Sequence, residues 1–210
     1  RVGIDNLDKF AKLYGLGEKT GINLRGEASG NIASPEYKRK VFNQDWYLGE
    51  TFDAAIGQSF TLVTPIQMAV LLSEVANGGI RYQPYVVSRI DNADGTPAEI
   101  FGPKKVGVLQ ISKSVMDIIR NGLHDVTAEG GTAGDLFKDM PIQVAGKTGT
   151  AQIASGGVYR QAGHQVAFCG YFPADEPKYS CIVVIRQPRN GYPSGGTMSG
   201  GVVKAIAEKV

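Results

Sequence analysis

Only two cysteines, Cys169 and Cys181, occur in the 210 residues. Two thiols are too few for a disulfide scaffold, and their spacing fits no zinc site. They read either as buried free thiols or as one cross-strand disulfide, because 168–172 and 180–186 look like hairpin partners around the Pro173 to Pro177 turn. Charge of one sign is not in excess: 22 basic against 20 acidic residues leave a net charge of +2. That balance provides no basic stripe of the kind nucleic acid requires. No run of eighteen apolar residues is present, and the first thirty residues have neither a charged n-region nor an apolar h-region. Nothing here reads as a membrane span or a signal, so any anchor has to lie outside this chain. The chain opens on Arg1, inside a helical pattern, which suggests a segment of a longer polypeptide. The two histidines, His124 and His164, stand apart, and no metal site or cofactor is expected.

Apolar side chains make up 42% of the sequence, enough to bury the core of one domain or of one large piece of a domain. Ile4, Leu7, Phe10, Ala11 and Tyr14 recur at helical spacing, and Gly15 and Gly17 end that helix. Residues 18–60 carry turn formers, charges and scattered aromatics without a sustained period. They predict a long, packed excursion with little regular structure, pinned to the body by Trp46. Thr64-Pro65 marks a helix start, with Ile66, Ala69, Val70 and Ser73 continuing a buried face to Gly78-Gly79. Residues 85–90 and 99–101 flank Asp94-Gly95, a hairpin signal. A second amphipathic helix is predicted from Ser112 to Asp125, with Val115, Ile118, Ile119 and Leu123 on one face. The runs 143–153, 165–172 and 179–187 predict an antiparallel meander, and Val202, Val203, Ile206 and Val210 form one face of a closing helix. The fold class is α+β, an antiparallel sheet flanked by helices. Within it, 1–80 is a helical and irregular part, 81–107 a hairpin excursion, 108–140 a helix and loop, and 141–210 the sheet strands and closing helix. No internal repeat is visible.

The sharpest local feature is Ala145-Gly146-Lys147-Thr148-Gly149-Thr150-Ala151-Gln152, a lysine and two hydroxyls on a strand interrupted by glycines. Glycine weakens a strand interior unless another backbone comes close. The pattern suits a strand edge where an extended peptide pairs with the main chain while Lys147 and the hydroxyls of Thr148 and Thr150 meet its carboxylate. Lys-Thr/Ser-Gly is one of three motifs of serine penicillin-binding proteins and β-lactamases. Alone it is a short pattern that chance also produces.

The surrounding blocks extend the resemblance along nearly the whole chain. Gly15 to Leu24 is similar to "GxGxxTGIDL" and is followed by "EASGN" at Glu27 to Asn31. Trp46 to Thr51 is similar to "WYxGDT", and Ala55 to Ser59 to "xIGQG". Then come Thr64 to Ala69, Asn77-Gly78-Gly79, Gly131-Thr132-Ala133, the lysine motif, and Gly170-Tyr171-Phe172-Pro173. These ordered blocks resemble the class B penicillin-binding proteins of the elongation type, the penicillin-binding protein 2 family, in the C-terminal part of the transpeptidase domain. Two departures stand out. No Ser-x-x-Lys, the family's nucleophile motif, occurs in the chain, since Ser34 and Lys38 are four apart. Ser29-Gly30-Asn31 imitates the family's Ser-x-Asn motif in letters only. Ser59 stands where the family has glycine, which tightens one loop.

The resemblance implies a serine β-lactamase/transpeptidase-like fold and a peptidoglycan D,D-transpeptidase. A serine attacks the penultimate D-alanine carbonyl of a stem peptide, and a neighbouring strand's amine resolves the acyl-enzyme. It implies Lys147 and the Thr150 backbone N–H, an oxyanion donor, as catalytic groups. Thr148, Gly149 and Thr150 are implied as substrate binders, with Gly149 leaving room for the peptide. It further implies β-lactams as inhibitors, glycosyltransferase and elongation-complex membrane proteins as partners, and the extracytoplasmic face of the cell membrane as location. The serine and its base lysine come from outside this chain. Other polar residues read more plainly. His164 lies beside a Gly-rich loop, residues 155–163, His124 sits near a helix C-terminus, and Glu50 and Asp53 tether a loop. Gln58 and Thr64 are scaffold, and Gly156-Gly157 make a lid loop. Two rival readings are a β-lactamase or D,D-carboxypeptidase, against which "WYxGDT" and "IGQG" argue, and a non-catalytic scaffold module of the elongation complex.

Overall fold

The computed structural model describes residues 2–155, 158–189 and 193–210. Its central element is an antiparallel sheet in the order β5-β6-β7, formed by Ala145–Ser155, Val158–Phe172 and Tyr179–Arg186. In each strand successive side chains alternate between the two sheet faces. Ala145, Cys169 and Tyr171 therefore share one face, where they pack on Leu72 and Ala76 of α4 (Pro65–Ala76). Val144, Phe168 and Phe172 take the other, against Phe137 of the short helix α6 (Gly134–Phe137) and Val203 and Ala207 of α7 (Gly200–Ala207). Helices on both faces leave Phe168 and Tyr171 at 0% and 1% exposure. Burial of such rings contributes roughly 2–3 kcal/mol each.

Two smaller ribbons flank this body. β2 (Arg89–Asp91) and β3 (Pro97–Ile100) form the hairpin expected at Asp94-Gly95. It is nested inside a second antiparallel pair, β1 (Ile80–Gln83) with β4 (Lys104–Val108). The outer pair was not predicted, because Lys104, Lys105 and Gly107 break the apolar alternation that marks a half-buried strand. The two cysteines are free. Cys181 stands opposite Gly170, one register step from Cys169, so their side chains leave opposite faces of the sheet and no cross-strand bond can form. Burial pushes the Cys169 thiol up to about 12.

Helix starts follow their caps. The Thr64 hydroxyl accepts from the Gln67 N–H at 3.3 Å while the Gln67 carbonyl oxygen accepts from the Thr64 N–H at 2.7 Å, a reciprocal capping box with Pro65 in the first turn. Ser112 likewise caps α5 (Lys113–Asp125). The first helix, α1, spans Ile4–Leu13, ending at the expected Tyr14-Gly15. Which faces are buried departs from the periodicity. In α4 the buried residues are Gln67, Leu72, Glu74, Val75 and Ala76, because this helix is enclosed by the sheet on one side and by residues 18–30 and β1 on the other. In α5, Met116 is buried while Ile118 is 69% exposed. In α7, Val203 and Ala207 point inward and Val202 outward, and Val210, expected on the same face, lies exposed beyond the helix end. Phe10 of α1 is also exposed.

The stretch 18–60 is more regular than expected. It holds α2 (Pro35–Phe42) and α3 (Leu48–Ala55), each too short and too polar to show a sustained apolar period. Ser34 caps α2 by accepting from the Tyr37 N–H at 3.1 Å. Trp46 does not reach the body. Its ring meets Phe60 edge-on beside Tyr37 and Phe42, and its N–H donates to the Thr51 hydroxyl at 2.9 Å, so it holds the excursion to itself. Gln67, 2% exposed, makes the tie to the body, its amide N–H groups donating to the Glu18 and Ser29 carbonyls at 2.6 and 2.8 Å. Asn31 pairs with Leu62 as an isolated bridge, and a Cβ on Gly30 would lie 2.4 Å from the Leu62 carbonyl oxygen. Ser59 adopts φ 71°, the left-handed region glycine enters without a Cβ penalty, which is the physical reason a glycine suits this position.

Two buried ions lead to predictions. Lys38 is 3% exposed, with its ammonium 2.7 and 2.8 Å from the two Glu50 oxygens and 4.3 Å from the Tyr47 ring centre. Burial works against the Glu50 charge, but Lys38 and the Tyr47 N–H outweigh it and hold the carboxyl below its ordinary value. Glu50→Gln strands the Lys38 charge and should destabilise the fold by about 2–3 kcal/mol, read as a lowered denaturation midpoint. Glu74 is 1% exposed, neither of its oxygens has a hydrogen-bond partner among the described residues, and burial raises it to about 7 despite Arg81. Between pH 4.5 and 7 the unfolded chain releases this proton while the folded one keeps it, so stability falls as pH rises through that window. Glu74→Gln should therefore match the parent near pH 4.5 and exceed it by up to about 3 kcal/mol at pH 8. Thermal melts across pH check this, and an unchanged pH profile in the variant refutes it.

Candidate active-site strand

Among the described residues β5 lies at the edge of its sheet, paired on one side with β6 and with no strand on the other. The motif occupies its first half, with Lys147 opposite Cys169, Thr148 opposite Phe168, Gly149 opposite Ala167 and Thr150 opposite Val166. Alternation sends Lys147 toward the α4 face and the Thr148 and Thr150 side chains toward the α7 face. Lys147, Gly149 and Thr150 are exposed and Thr148 is half-buried. All four sequence-predicted residues are thus brought together on an extended edge.

The glycines have different reasons. A Cβ on Gly146 would sit 2.6 Å from the Phe168 ring and 2.7 Å from the Cys169 carbonyl oxygen, so this position is emptied for the core. On Gly149 a Cβ would meet only the Ala167 methyl, at 3.9 Å. The space over Gly149 is open along the edge. The Lys147 ammonium donates to the Thr148 carbonyl at 2.9 Å and lies 3.5 Å from the Thr148 hydroxyl. It has no carboxylate partner among the described residues. An ammonium beside the Thr148 hydroxyl, on a strand edge that also carries Thr150, is an arrangement suited to the carboxylate of an extended peptide.

Sequence reasoning missed the element that closes over this strand. A π-helical turn, Gly195–Ser199, precedes α7, capped by the Ser194 hydroxyl, which accepts from the Thr197 N–H. The Gly195 N–H donates to the Thr150 hydroxyl at 3.3 Å. The pair Gly195-Gly196 just ahead of a helix was the available signal.

Other candidates fall elsewhere. Ser34 and Lys38 are a helix cap and one half of a buried ion pair, not a nucleophile and its base. Ser29-Gly30-Asn31 is bound into the Asn31–Leu62 bridge. His124 closes α5, 3.2 Å from the Gln143 side chain. His164 lies within β6 opposite Gln152; beyond it the register shifts, and of the expected loop at 155–163 only Ser155, Val158 and Tyr159 are paired, so the loop is corrected at those positions while 160–163 form the irregularity in the ladder. Gly156 and Gly157 lie outside the described residues. Among the described residues no group of histidine, cysteine and carboxylate side chains could hold a metal ion, and no helix is long and apolar enough to cross a membrane.

Comparison with known proteins agrees with this geometry. Residues 1–209 match the penicillin binding protein transpeptidase domain family. Stage V sporulation protein D of Bacillus subtilis is 35% identical over 98% of this chain and 30% of its own length. The peptidoglycan D,D-transpeptidase MrdA of Escherichia coli K12 is 35% identical over 72% of this chain and 24% of its own length. Among solved structures, Pseudomonas aeruginosa PBP2 in complex with WCK 5153 superimposes with a TM-score of 0.79 at 31% identity, covering 97% of this chain and 42% of that one. Helicobacter pylori PBP2 gives a TM-score of 0.79 at 27% identity over 99% of this chain and 35% of that one. The chain spans a quarter to a third of the curated relatives it matches. With the α+β fold, the ordered sequence blocks and the edge strand in agreement, the chain belongs to the transpeptidase-domain family of the class B penicillin-binding proteins.

Proposed function

We propose that this chain is the C-terminal portion of one transpeptidase domain and supplies the β5 wall of a peptidoglycan D,D-transpeptidase site. The observation that carries the proposal is the exposed, unpaired edge strand bearing Lys147, Thr148, Gly149 and Thr150. An extended stem peptide adds to this edge, its backbone passing over Gly149, and its carboxylate meets the two threonine hydroxyls in the field of Lys147. A serine from the polypeptide beyond this chain attacks the penultimate D-alanine carbonyl. The C–N bond breaks, and D-alanine leaves with a proton on its amine. A neighbouring peptide's amine then displaces the serine to form the cross-link, returning a proton to the serine oxygen. The Thr150 backbone N–H is one donor to the tetrahedral oxyanion. β-Lactams enter the same groove as acylating inhibitors. The name of the Escherichia coli relative supports this chemistry. A Mycobacterium tuberculosis PBP3 structure in complex with aztreonam, 27% identical to this chain, supports the inhibitor class. Helicobacter pylori PBP2 was solved with MreC, which supports a partner of that kind; elongation-complex membrane proteins, a glycosyltransferase among them, are inferred as partners from the family resemblance alone. Action at the extracytoplasmic face of the cell membrane, with an anchor outside this chain, follows from the same reading.

The rival reading is a non-catalytic module of the elongation complex. Fluorescent penicillin separates the two. The polypeptide carrying this chain together with a Ser-x-x-Lys segment should be labelled covalently, and the 210-residue piece should not. Labelling of the piece would reveal a nucleophile within it, and no labelling of either would favour the non-catalytic module. Lys147→Ala should slow acylation on the order of a hundredfold with an unchanged melting temperature, because Lys147 is exposed and bonds only within its own strand. Acylation at the parent rate removes Lys147 from the site.

A further inference from the structure

The turn that covers β5 does more than fill space beside it. A threonine hydroxyl has one proton to donate and two lone pairs. In Thr150 a lone pair is taken by the Gly195 N–H at 3.3 Å, and among the described residues nothing accepts its O–H. The contact is possible only because residue 195 is glycine. A Cβ there would lie 2.4 Å from the Gly149 carbonyl oxygen and 2.5 Å from that of Ala167, so any larger residue lifts the turn off the strand. The turn is in turn held by Ser194, whose hydroxyl accepts from the Thr197 N–H at 3.3 Å. A Cβ on Gly196 would lie 3.6 Å from the Thr148 methyl on the same face.

We propose that Ser194 and Gly195 are positioning residues that aim the Thr150 O–H toward the open edge of β5, where it donates to the carboxylate of the substrate or inhibitor. The inference rests on the transpeptidase reading given above. With the Gly195 N–H in place the hydroxyl cannot turn its proton back toward the turn, so it meets an arriving anion without reorientation, the condition under which a fixed donor is most effective. Loss of the cap frees the turn, and the hydroxyl then samples other rotamers.

The test uses the intact enzyme, including its serine-bearing part, with benzylpenicillin and its methyl ester as acylating probes. Ser194→Ala should lower the second-order acylation rate with benzylpenicillin about tenfold, the equivalent of one hydrogen bond to a charged group, and leave the rate with the uncharged ester unchanged. Ser194→Thr, which keeps the capping hydroxyl, should restore the parent rate. Thr150→Val should lower the benzylpenicillin rate by a similar factor, and adding Ser194→Ala to it should cause no further loss with that probe, since both act through one hydroxyl. Equal slowing of both probes by Ser194→Ala, or additive losses in the double variant, overturns the positioning role while leaving the site intact. Failure of the parent enzyme to be acylated at all removes the transpeptidase reading itself, and this inference with it.

Discussion

Everything in this structure depends on β5 being paired along one edge only. Its ladder with β6 fixes which residue stands opposite which, and the alternation of side chains then assigns each motif residue to a face. Because helices cover both faces, the strand is rigid, yet its second edge keeps unpaired N–H and C=O groups. An exposed edge is a hazard in most proteins, since it templates association with any extended chain. In the proposed function this hazard becomes the working surface: an extended peptide would complete the ladder, and the residues at 147–150 would select one that carries a carboxylate.

Rigidity of that edge comes from both covering layers. On one side the aromatic packing of Phe168 under Gly146 draws the strand tightly onto the core. On the other, α4 is locked through Gln67, which joins the helix cap to two carbonyls of the 18–30 segment. The excursion from 31 to 62 is stabilised internally by four aromatic rings and by the Lys38–Glu50 pair. A buried ion pair of this sort gives geometry more than net stability, because desolvation offsets much of its attraction. The exposed apolar side chains of α3, Leu48, Phe52 and Ile56, stand outside this internal packing.

Local signals were legible. The Thr64 helix start, the helix beginning near Ser112, the Asp94-Gly95 hairpin and the three strands of the meander each depend on contacts within a few residues, which the sequence displays directly. So were the motif strand and the family it resembles. Two short helices and the outer ribbon were not, because an eight-residue helix or a lysine-rich strand has no sustained apolar period. Trp46 was assigned the wrong anchor for a related reason: its chemistry says that it will pack, and says nothing of against what.

By itself the sequence determined the α+β class, the longer helices, the hairpin and the meander, and the identity of the residues at 147–150, since periodicity, caps and contiguous motifs are short-range properties of the chain. Only the tertiary structure decided which faces are buried, leaving Ile118 and Val202 outside and Glu74 inside, and which distant groups meet. The Gly195 N–H reaches the Thr150 hydroxyl across 45 residues. Such a contact is set by sheet register and by the path of the chain over it, and these arise from the packing of all the elements together.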